Sequence, residues 1–119
     1  MSCTINSPMN FNIQGEWLNS EVETEIGNAQ YKMSFTDENM TVEMTFEEGE
    51  KIVEKSPYSF QDGILIQKSG EAIGYDGSGK IQMREKVAQE KEFRFKIISE
   101  TRIEITYENE PPLFLYKIN

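Results

Sequence analysis

The chain contains no histidine and a single cysteine, Cys3. The first absence removes Ser-His and Cys-His nucleophile pairs, imidazole metal sites and haem ligation through histidine. The second removes any intrachain disulfide or thiolate zinc site and fits a reducing compartment. Met-Ser precedes Cys3, and the first dozen residues hold neither a basic nor an apolar signal segment. Cys3 is therefore expected to be an ordinary exposed thiol, not a lipid carrier behind a cleaved signal. No run approaches the ~20 apolar residues of a membrane span. A cytoplasmic protein is expected. Helical periodicity is nearly absent as well.

Positive charge is scarce in one half of the chain. The net charge is −9, which argues against nucleic-acid binding through phosphates. Residues 1–50 carry ten acids and one base, Lys32, whereas residues 51–119 carry eleven of each. The whole imbalance thus lies in the first half. A solvated face explains it, and so does steering toward a basic protein partner.

What the chain does have is alternation. Its 119 residues suit one domain, with a tail at 1–10 and the domain at 11–119. Aromatics are plentiful, with seven Phe, five Tyr and one Trp. Tyr31, Met33 and Phe35 alternate with polar residues. After a turn at 37–39, so do Met40, Val42, Met44 and Phe46, which predicts a β-hairpin. A second hairpin is predicted from Phe93, Phe95 and Ile97, a turn at 99–101, and Ile103, Ile105 and Tyr107. Weaker strands are expected at 16–25, closed by Gly27-Asn28; at 51–60, interrupted by Pro57; at 64–68, after Asp62-Gly63; and at 80–87. A last strand at 113–118 follows Pro111 and Pro112, which are excluded from a paired strand. Ser7 and Pro8 open a single helical turn at 7–11. The fold expected is all-β: a small antiparallel up-and-down barrel of eight or nine strands with a short N-terminal helical turn.

The Gly-x-Trp triplet Gly15-Glu16-Trp17 opens the first strand, a meander of hairpins follows, and the aromatic strand at 113–118 ends the chain. In this the chain resembles the short bacterial lipocalin-like (calycin) domains over residues 11–119. The resemblance implies that Gly15 permits close backbone approach and that Trp17 closes the barrel floor. It also implies a late-strand arginine packed on the tryptophan, for which Arg94 and Arg102 are the candidates.

Few motifs carry chemistry. Glu47, Glu48 and Glu50 lack the ligand spacing of a calcium loop and read as a solvated turn. Residues 74–80, GYDGSGK, nearly match a phosphate loop, but Ile81 stands where Ser or Thr would hold magnesium, and no helix follows. The four glycines at 70, 74, 77 and 79 suggest a mobile connection, or a lid with Ile73 and Tyr75 at its apolar tip. Asn39-Met40-Thr41 is a formal glycosylation sequon without meaning in the cytoplasm. No catalytic set, metal site or cofactor is expected, and the protein is read as a non-enzyme. The large inward residues favour a filled core, yet Met and Phe also suit a pocket, and the leading functional expectation is a small apolar ligand inside the barrel, lined by Tyr31, Met33, Phe35, Met44, Met83 and Phe95. The alternative is an acidic inhibitor or immunity-type protein that meets a basic partner through Glu21, Glu23, Glu25, Ile73 and Tyr75.

Overall fold

The computed structural model describes residues 12–19, 22–24 and 27–118. The expected helical turn at 7–11 lies outside them, as do Cys3, Glu21 and Glu25. Among the described residues eleven strands run in chain order: β1 (Gly15–Leu18), β2 (Val22–Thr24), β3 (Gly27–Phe35), β4 (Asn39–Phe46), β5 (Lys51–Gln61), β6 (Ile64–Gln67), β7 (Gly70–Tyr75), β8 (Ile81–Val87), β9 (Lys91–Ser99), β10 (Arg102–Thr106) and β11 (Leu113–Lys117). Every pairing is antiparallel. Eight strands close a ring in the order β1-β3-β4-β5-β6-β9-β10-β11, because β1 pairs with both β3 and β11. The all-β barrel is therefore as expected, with three strands added to the ring.

The first added strand comes from a break in the expected strand at 16–25. β1 pairs with residues 32–35 of β3, and β2 pairs with residues 27–29. Between them the buried Asn19 bridges to the ladder: its backbone N–H donates to the Tyr31 carbonyl, and its side-chain Oδ1 accepts from the Tyr31 N–H. Gly27 and Asn28 begin β3 instead of ending the strand before it.

The other two added strands arise at a fork in β5. Residues 58–61 of β5 pair with β6, but residues 51–55 pair with β7. β6 and β9 pair in the ring up to Gln67 and Lys91, while β7 and β8 leave it as a two-stranded wing. Pro57 sits at the fork without ending β5, contrary to the expected interruption. A strand residue's N–H and C=O point to the same side, and the Pro57 carbonyl accepts from the Lys68 N–H. Its missing donor thus falls where the ladder parts. Gly70 marks the crossing. A Cβ there would collide with the Lys55 carbonyl oxygen and lie 2.6 Å from the Ser56 Cβ.

The ring interior holds a single apolar core built on Trp17, Met40, Leu65, Ile103 and Leu115, each almost fully buried. Asp62 and Gly63, with φ of 53° and 78°, make the two-residue turn between β5 and β6 that their sequence signals. Among the described residues no helix is long and apolar enough to cross a membrane.

Candidate functional site

The barrel interior is filled at one end and open at the other. At the filled end lie the three hairpin turns at 36–38, 62–63 and 100–101. The rows nearest those turns hold Phe35 with Met40, Phe60 with Leu65, and Ile97 with Ile103. Phe35 stacks edge-on against Tyr58 at 5.2 Å, and Phe60 tilts against Phe95 at 5.1 Å. These rings leave no room between them, as close packing of aromatics requires.

Trp17 anchors the interior. Its indole N–H donates to the Ile13 carbonyl at 2.8 Å, tying the segment before β1 to the barrel. The Lys117 ammonium lies 5.6 Å from the indole ring centre and donates to the Asn12 carbonyl at 3.0 Å. Neither Arg94 nor Arg102 takes that place. Arg102 lies over Tyr116 instead, and Arg94 is exposed beside Glu92. The cation comes from the last strand because β11 is the ring neighbour of β1. Gly15 has φ of 118°, a backbone state that favours glycine at the entry to β1.

Moving away from the turns, the interior opens into a cavity of about 750 Å³. Met33 and Val42 form one row of its wall, and Tyr31 and Met44 the next. Phe93, Ile105 and Leu113 complete the apolar lining, with Tyr107 and the loop residues Glu110, Pro111 and Pro112 at the mouth. Phe93 and Tyr107 stack at 5.0 Å. Three polar side chains also face in where the wing departs. Gln67 donates its amide to Glu54 Oε1 at 3.1 Å, and the Lys91 ammonium lies 3.9 Å from Glu54 Oε2. Burial, then Glu110, then Glu54, hold the Tyr31 phenol above its ordinary pKa.

The sequence-predicted residues divide accordingly. Tyr31, Met33 and Met44 line the cavity. Phe35 and Phe95 are buried in the packed end and do not. Met83, expected to point inward, is exposed. It stands opposite Gly74 on β8, and so shares a sheet face with Ile52, Met44 and Tyr31, but β8 lies outside the ring. Ile73 and Tyr75 are not a loop tip: they are half-buried within β7, and the turn at 76–79 forms the tip. Glu23 lies in β2 beside β3. Sequence reasoning missed Glu54, Gln67 and Lys91. Their signal was a polar residue at an inward position of each alternating strand.

The glycine-rich tip is ordered by one carboxylate. Asp76 Oδ1 accepts from the Ser78 N–H, the Ser78 hydroxyl and the Lys80 N–H, at 2.8 to 2.9 Å. The Lys80 amide first, then Ser78, holds Asp76 below its ordinary pKa. The amides that a phosphate would need are thus already taken by Asp76. Set beside known protein families, curated proteins and solved structures, the chain matches none.

Proposed function

We propose that this protein is a non-enzymatic binding protein that holds one small apolar ligand in the open half of its barrel. The single observation behind this is the half-open interior. Its volume of about 750 Å³ lies in the usual range for ligand pockets, and Met33, Met44, Val42, Ile105 and Leu113 give it an apolar wall. Two methionines let such a wall adapt to more than one ligand shape. Native mass spectrometry after gentle purification, paired with displacement of a fluorescent apolar dye, tests it. One dye per chain is expected, with binding lost in Met44→Trp, whose indole would occupy the cavity. Dye binding that is unchanged in that variant would sink the reading.

A second reading is capture of a basic protein, with the acidic first half steering the encounter and the wing making an apolar contact. β8 stands outside the ring with Ile81 and Met83 exposed, which suits a protein contact. A partner retained in a pull-down at low salt and released at high salt is expected. A partner indifferent to salt would rule out the electrostatic part.

A further inference from the structure

The polar groups of the cavity are unevenly charged. Two carboxylates, Glu54 and Glu110, face one ammonium, Lys91. Lys91 is only loosely engaged, at 3.9 Å from Glu54, whose other oxygen already takes the Gln67 amide. Glu110 has no ion-pair partner among the described residues. It stands on the β10–β11 loop, whereas Glu54 stands on β5 at the fork, so the two carboxylates come from different parts of the mouth. Three aromatic residues, Tyr31, Phe93 and Tyr107, line the same opening. Aromatic faces attract cations and have no comparable attraction for carboxylates.

We propose, resting on the cavity's role as a ligand site, that its ligand is an amphiphile with an apolar tail and a cationic head of the alkylammonium type. The tail packs on Met33, Val42 and Ile105 in the interior. The head stays at the mouth, between Glu54 and Glu110 and against the rings of Tyr31 and Tyr107. An anionic head would gain only Lys91 and would meet two carboxylates. A neutral head would leave Glu110 without a counter-charge and Glu54 with only its loose contact to Lys91. The raised pKa of Tyr31, set first by burial and then by Glu110 and Glu54, reports the same negative field at the phenol.

Calorimetric titration with three probes of equal tail length tests this: decyltrimethylammonium, decanol and decanoate, each below its micelle concentration. The ammonium is expected to bind about tenfold more tightly than decanol, with decanoate weakest. In the double variant Glu54→Gln/Glu110→Gln the ammonium should fall to the affinity of decanol, and decanol should be unaffected. Met44→Trp should abolish binding of all three, so ammonium that still binds that variant sits on the acidic surface and overturns the proposal. Decanol binding as tightly as the ammonium overturns the cationic head and leaves the apolar cavity standing. If none of the three binds, the cavity reading and the head fall together.

Discussion

Gly70 is the residue on which the fork turns. The strand leaving the ring must pass against Lys55 and Ser56 more closely than any side chain permits. Gly70→Ala is expected to cost about 1–3 kcal/mol, read from urea unfolding, because the neighbour in the way is backbone and cannot rotate aside. Tyr31 offers a second measurement. Its folded-state pKa lies above the ordinary 10.0, chiefly through burial. The associated stability is therefore intact below that value and is lost as pH rises through the folded pKa. In an alkaline absorbance titration, a late-titrating phenol should be present in the native protein and diminished in Tyr31→Phe. Such residues were only partly legible in the sequence. Alternation placed Tyr31, Met33 and Met44 on an inner face, but it says nothing of which end of a barrel is filled. That depends on ring-on-ring contacts such as Phe60 with Phe95, from strands far apart in the chain.

At the scale of elements, the two strong hairpins and the last strand could be read directly, because period-two alternation and turn residues agree there. The fork could not. Pro57 looked like an interruption, and the glycines at 70 and 74 looked like a loop. Each is instead a local solution to one strand serving two partners. β8 poses a different problem, since β7 is its strand partner and both of its faces are largely exposed. Its charged residues Arg84, Glu85 and Lys86 guard that edge, as edge charges commonly do. Arg84 is also paired with Glu71 across the wing at 3.1 Å. Arg84→Val with Lys86→Val is expected to produce concentration-dependent association, measured by sedimentation velocity. A variant that stays monomeric would show that the wing's geometry, not its charge, protects the edge.

The described part of the molecule is elongated, 55 Å by 29 Å by 27 Å. Its stability is expected to be distributed accordingly. The ring encloses the apolar core, and the wing has only the modest burial of Ala72 and its neighbours. Native-state hydrogen exchange should therefore find the amides of β8 opening well before those of β4 and β10, which carry core residues inside the ring. Equal protection in both regions would mean that the wing and the ring unfold as one unit.

The fork has a practical corollary. Closure of the ring runs through β5, β6 and β9, and no hydrogen bond of that circuit passes through residues 76–80. A foreign peptide spliced into this tip on the side away from Gly77, which packs on the Glu48 carbonyl of the β4–β5 turn, would stand remote from the packed interior, and the host could present it as cargo without being refolded around it.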